Sequence, residues 1–321
     1  MEIYSRNWGG RCGPETEKGA GWPPTACTRQ LASSGSPLTC RRLPPARCPR
    51  VAPRQLASDV AAHYISSMRT IGLLGGMSWE STALYYQHIN SGIKLRLGGL
   101  HSAELVLVSI DFAPLEQMQA AGDWEAAGRL LAEKAARAEA AGAELLLLCT
   151  NTMHKVAPAV EAAVKIPLIH IADATAAAIK AAGLTRVGLL GTRFTMEQDF
   201  YAGRLQELHG LEVLTPEPAD REIVHRVIYE ELVLGTVRDE SRAEFVRITQ
   251  QLAESGAQGV ILGCTEIGML LSQADIPLPL FDTTALHAEA AVTAAVTAAS
   301  APSAASAGSA DRRAMADRGA R

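Results

Sequence analysis

Three short stretches occur twice in this chain, in the same order and at nearly one spacing. TIGLLGGMS (Thr70–Ser78) is matched by RVGLLGTRF (Arg186–Phe194), and LLLLCTNT (Leu145–Thr152) by VILGCTEI (Val260–Ile267). KIPLIHIADAT (Lys165–Thr175) is matched by DIPLPLFDTTA (Asp275–Ala285). The separations are 116 residues from Ile71 to Val187, 115 from Cys149 to Cys264 and 110 from Ile166 to Ile276. A repeat of that length is the size of a small domain, so the chain is expected to fold as two similar halves.

Most of the apolar runs are continuous rather than alternating, the pattern of parallel strands covered by helices on both faces. Strands are expected at Thr70–Leu74, Glu104–Ile110, Glu144–Leu148, Pro167–His170, Arg186–Leu190, Glu212–Leu214, Gly259–Leu262 and Leu278–Phe281. Helices are expected at Ser78–Leu97, Trp124–Ala141, Thr175–Ala182, Met196–Leu208, Asp220–Leu234 and Ser241–Ser255. The fold class is therefore α/β with parallel sheets. The first domain is expected to take residues 68–166 plus a returning helix, 285–299, and the second residues 167–284. Residues 1–67, rich in Gly, Pro and Arg, are expected to be disordered, as an extension ahead of a natural start at Met68. A basic import leader is the other reading of that segment. The Ala/Ser tail, 300–321, is expected to be disordered too.

Composition narrows the partners. A formal net charge of −4 argues against nucleic acid or an anionic membrane surface. The apolar runs fall well short of the roughly 20 residues that a membrane helix needs. Four of the six cysteines lie in the N-terminal segment (Cys12, Cys27, Cys40, Cys48), and only Cys149 and Cys264 fall in the folded part. That is no secreted disulfide framework, and it suggests a reducing, cytoplasmic location. No His or Cys spacing suggests a metal. The glycines after the first strand lack the dinucleotide-binding spacing, so no NAD is expected.

Both cysteines follow an apolar strand, where parallel α/β sheets bind their ligands. If the halves face each other, the two motifs meet across one cleft. A small ligand there would have a reactive group on each side, which suits removal of a proton from one face of a carbon and its return to the other. Asn151, Thr152, Thr265 and Glu266 lie where helices would begin, so backbone amides there could hold a carboxylate.

GLLGGMSWEST (Gly72–Thr82), CTNTMH (Cys149–His154) and GCTE (Gly263–Glu266) together resemble the aspartate/glutamate racemase family, over about Met68 to Ala295. HIADAT and GTRFTMEQDFY are similar to its broad-specificity or L-aspartate/glutamate-specific branch. The resemblance implies two Rossmann-like domains, an active site in the cleft between them, paired cysteines, no cofactor, a small amino-acid substrate and a homodimer. The chain departs from the family at one point. The family's first motif reads Cys-Asn-Thr, whereas here Thr150 stands between Cys149 and Asn151. If Asn151 and Thr152 keep their family places, Thr150 takes the thiol's position. Neighbouring residues at a strand end face opposite sides, so only one of Thr150 and Cys149 can enter the cleft without a bulge. We expect Thr150 there, with Cys149 as the alternative, and Cys264 as the one competent base.

Met77 and Ser78 are expected to line the cleft, with Met77, Asn151, Thr152, Thr192 and Thr265 binding substrate. Asp111 is a candidate selector of the side chain. His154 is expected in the first turn after the motif, His170 as a structural histidine, and Glu230 and Glu231 on a solvated helix face. Two rival functions share these residues. One is decarboxylation or cis–trans isomerisation of a small dicarboxylate, and the other is small-molecule binding without catalysis.

Overall fold

The structure is a computed structural model and describes residues 68–297. The segments 1–67, with its four cysteines, and 300–321, both expected to be disordered, lie outside the described residues. The first half runs β1 (Ile71–Gly75), α1 (Trp79–Leu97), β2 (Leu105–Ser109), α2 (Phe112–Ala121), α3 (Trp124–Ala140) and β3 (Leu145–Leu148). A 3-10 turn, Thr152–Val156, and α4 (Ala157–Ala163) follow. The three strands are parallel in the order β2-β1-β3.

The second half begins with α5 (Ile171–Ala181), then β4 (Arg186–Gly191), α6 (Arg193–Glu197), α7 (Asp199–His209) and β5 (Glu212–Leu214). It continues through α8 (Pro218–Glu230), a 3-10 turn at Leu232–Leu234, α9 (Asp239–Glu254) and β6 (Val260–Gly263). It ends with α10 (Ile267–Leu270), β7 (Leu280–Asp282) and α11 (Thr283–Thr297). Its strands are parallel in the order β5-β4-β6-β7. The α/β class and the parallel sheets are as the apolar runs implied.

Each sheet is buried on two faces. In β3, Leu145 and Leu147 join Ile71, Leu73 and the α1 and α11 side chains, while Leu146 and Leu148 pack on the α3 side. In β6, Val260 and Leu262 face the α8 and α9 layer, and Ile261 faces α5 and α7. Helix α11 leaves the second sheet and returns to the first. Ala288, Ala291, Val292 and Ala295 close the core over Ile71, Tyr85 and Ile89, and Arg69 N donates to Ala295 O at 3.1 Å. A fully buried Val or Ile here stabilises by about 1.5–3 kcal/mol.

The turns that end the central strands are tight. Gly76 has φ 89°, and a Cβ there would stand 2.2 Å from Ile110 O, so only glycine fits. Ser78 then caps α1, its Oγ accepting from Ser81 N at 3.4 Å.

Some expected elements differ. Pro167–His170 is no strand but a single bridge between Leu168 and Leu146. Leu146 alone both donates to Pro167 O and accepts from Ile169 N, each at 2.9 Å, before the chain turns into α5. That helix starts at Ile171, four residues ahead of expectation, because the His170 ring caps it. Helix α2 was not foreseen. Asp111, the candidate selector of the substrate side chain, caps this helix, with Oδ1 accepting from Ala113 N at 3.3 Å, and is not among the pocket-lining residues.

Candidate active site

The carboxyl ends of β1, β3, β4 and β6 open into one pocket of about 330 Å³, its mouth included. Met77, Thr150, Thr152, Thr192, Cys264 and Glu266 line its floor. Phe112 and Gln119 from α2 form one wall, and Ile228 and Tyr229 from α8 the other. The Tyr229 hydroxyl reaches Gln119 Oε1 at 3.5 Å, so the two walls touch.

The strand registers say which residues correspond between the halves. Gly72 pairs with Leu146 in the first sheet, and its counterpart Gly188 pairs with Val260 in the second. Leu146 and Val260 are 114 residues apart, and so are Thr150 and Cys264. The offset of 115 that joins the two cysteines is therefore one residue out of register, and in a strand one residue reverses the face. Cys149 continues the Leu145–Leu147 series into the core under α1 and α11, where it is fully buried. Thr150 and Cys264, the counterparts, both line the pocket.

Cys264 is 8% exposed, and its Sγ donates to Glu266 Oε2 at 2.9 Å. The same carboxylate oxygen accepts from Thr265 Oγ1 at 2.9 Å, and Oε1 accepts from Ser78 Oγ at 2.6 Å. Burial, and then the Glu266 charge, push the Cys264 thiol well above its ordinary range. It rests as a thiol whose proton points at a buried carboxylate. Burial alone pushes Cys149 up. The pairing of Glu266 with Cys264 was not expected. The chain turns after β6, with Glu266 at φ −84° and ψ −20°, so strand alternation gave no signal of this pairing.

Thr150 is positioned from behind. Ile171 N donates to His154 Nε2 at 3.2 Å, so the ring proton is on Nδ1, which donates to Thr150 O at 2.8 Å. Burial, with His170 and His287 nearby, holds His154 well below its usual pKa, so this neutral tautomer persists. Thr152 and Thr192 come from opposite halves, and their hydroxyls meet at 3.0 Å. Thr192 also caps α6, accepting from Thr195 N at 3.3 Å.

Asn151 does not cap the turn that follows it. Thr283 Oγ1 donates to Leu262 O at 2.8 Å, so it must accept from Asn151 Nδ2 at 3.0 Å. That leaves Asn151 Oδ1 buried without a protein donor. Thr265 is buried and turned to Glu266, and Asn151 is held by Thr283; neither is among the pocket-lining residues. Glu231 is buried and accepts from Ser241 Oγ at 2.6 Å rather than lying on a solvated face, so its neighbours Ile228 and Tyr229 are what α8 brings to the pocket. Among the described residues, no group of three or more His, Cys, Asp or Glu is placed to hold a metal ion. No described helix is long and apolar enough to cross a membrane.

A pair of parallel sheets with a thiol–carboxylate pair at their shared mouth is the architecture of an enzyme acting on a small molecule. The Asp/Glu/Hydantoin racemase family model matches residues 74–291, more than half of the chain, and the chain belongs to that family. It is similar to the crystal structure of a candidate Asp/Glu racemase from Yersinia pestis, with 55% identity, a TM-score of 0.67, and coverage of 71% of this chain and 99% of that one. An aspartate racemase homologue from Pyrococcus horikoshii is 36% identical, with a TM-score of 0.62 over 71% of this chain and 99% of its own. The aspartate racemase of Picrophilus torridus, 20% identical, shares the fold, with a TM-score of 0.59 over 70% of this chain and 94% of its own.

Proposed function

We propose that the protein is a cofactor-independent amino-acid racemase in which one thiol and one hydroxyl replace a matched pair of thiols. Membership of a racemase family supports an isomerase. The observation that carries the finer reading is that Thr150 and Cys264, in corresponding registers, line one pocket while Cys149 is sealed behind β3. Cys264 must be a thiolate to take an α-proton. A buried thiolate is costly alone, but here the proton passes to Glu266, 2.9 Å away. The pair carries one negative charge before and after, so no second charge is buried.

The thiolate then removes the α-proton from one face and becomes a thiol again, leaving the electron pair delocalised into the substrate carboxylate. A proton from a water held by the Thr150 hydroxyl, or from that hydroxyl, reaches the opposite face; the hydroxide or alkoxide left takes a proton from bulk water, and Glu266 releases the one it received. The hydroxyls of Thr152 and Thr192 suit the carboxylate. The homodimer that the resemblance implies and the cytoplasmic location that the cysteine distribution suggests belong to this proposal, and light scattering checks the first.

The test is a panel of amino acids in deuterated water, followed by proton NMR and chiral chromatography. Loss of the α-proton signal with growth of the second enantiomer is expected. A single competent thiol in the pocket also suits protonation after loss of carbon dioxide from a small dicarboxylate, and a loss of substrate mass would establish that reaction instead.

A further inference from the structure

A second pocket, of about 460 Å³ with its mouth included, lies between α4 and α7. The first half contributes Lys155 and Glu161, the second Phe200 and Arg204, and His170 sits where the chain passes between them. The α-proton chemistry uses none of these side chains.

Their hydrogen bonds leave donors unassigned. Arg204 gives Nε and Nη2 to Asp173, each at 2.7 Å, which leaves Nη1. Lys155 Nζ donates one proton to Gln198 Oε1 at 2.6 Å and stands 4.0 Å from the centre of the Trp124 ring. His170 is 6% exposed, and its Nδ1 accepts from Ala172 N at 3.2 Å. The ring proton is therefore on Nε2. Burial and then the Arg204 charge hold His170 down at about 3, so it stays a neutral donor near neutral pH. Glu161, on the exposed side, is the one acid in the lining. The lining thus offers two cations and a buried neutral N–H against one carboxylate.

We propose that this pocket binds a small oxyanion, a carboxylate or phosphate group, held jointly by Lys155, Arg204 and His170 across the junction of the two halves. Charge-assisted bonds from ammonium and guanidinium are the strong ones for such groups, and the fixed imidazole N–H adds direction.

The experiment titrates the full-length protein with sodium phosphate and, separately, with malonate, with chloride holding ionic strength constant. Binding is read by tryptophan fluorescence, because Trp124 lies under the Lys155 ammonium, and by equilibrium dialysis. A saturable change with either anion is expected, weakened at least about ten-fold in Lys155→Met with an unchanged circular dichroism spectrum. Saturation by phosphate alone identifies a phosphorylated ligand, and by malonate alone a carboxylate. Arg204→Gln should weaken binding as well, and Lys155→Met decides, because Arg204 also fastens Asp173. No saturable binding of either anion up to about 50 mM, or equally tight binding by Lys155→Met, overturns the proposal. Malonate that enters the catalytic pocket instead would bind Lys155→Met unchanged. The result is independent of whether the protein racemises anything.

Discussion

At corresponding places in their strand order, one half of this molecule carries a hydroxyl and the other a thiol. The surroundings differ as much as the side chains. Cys264 has a buried carboxylate beside it, whereas Thr150 has a histidine fastening its backbone carbonyl. One half sets an acid beside its side chain, and the other fastens the backbone that carries its side chain. A repeated scaffold can thus diverge in chemistry while keeping its register, and two like residues at similar places need not be counterparts.

The largest expected effect tests that division. Cys264→Ser should lower α-proton exchange by about 10²–10⁴-fold, the usual range for one acid–base group, measured by NMR in deuterated water. A mutant with near-normal exchange would dissolve the contrast between the halves. A sharper measurement follows one enantiomer. If the hydroxyl side returns protons slowly, the enantiomer that Cys264 deprotonates should take up deuterium with retention faster than it inverts. Thr150→Cys should narrow that ratio by about ten-fold or more. Equal rates in the unaltered protein would show the two faces to be alike.

Stability is expected to depend on pH. Burial holds His170 down at about 3 and His287 at about 4, and His154 well below 6.5. The unfolded chain binds these protons at about 6.5, so stability is full above that pH and falls as pH drops toward 3–4. Below about 6.5 each histidine adds a slope of about 1.4 kcal/mol per pH unit. Thermal melting at pH 7, 6 and 5 measures the fall, and a flat profile would mean that the cluster is solvated. Cys149→Ser should cost about 1–3 kcal/mol of stability, from a hydroxyl buried among hydrocarbons, and leave exchange close to normal. Lost exchange in a well-folded Cys149→Ser protein would reverse the roles of Cys149 and Thr150. The smallest effect is that of Asp111→Ala, about 1 kcal/mol from a lost helix cap, with substrate preference unchanged.

The fold was legible because strands covered on both faces write themselves as continuous apolar runs, as Leu145–Leu148 and Val260–Gly263 do. Helix α2 was not, because Phe112–Ala121 offers mainly Leu115 and Gln119 to the interior and little periodicity. Pro167–His170 misled because a single bridge has the composition of a strand without its ladder. At the site, alternation said that only one of Thr150 and Cys149 could enter the cleft, and the family resemblance of the motif favoured Thr150. The identity of Glu266 as the thiol's partner could not be read in this way, since Ser78 and Thr265, which fix its carboxylate, come together only in the folded protein.

Helix α11 closes the first half's core, although it is the last element of the described chain. During synthesis, β1, β2 and β3 leave the ribosome long before the helix that shelters one of their faces. Until it arrives, Leu73, Tyr85 and Ile89 have no finished cover, so the half made first matures last.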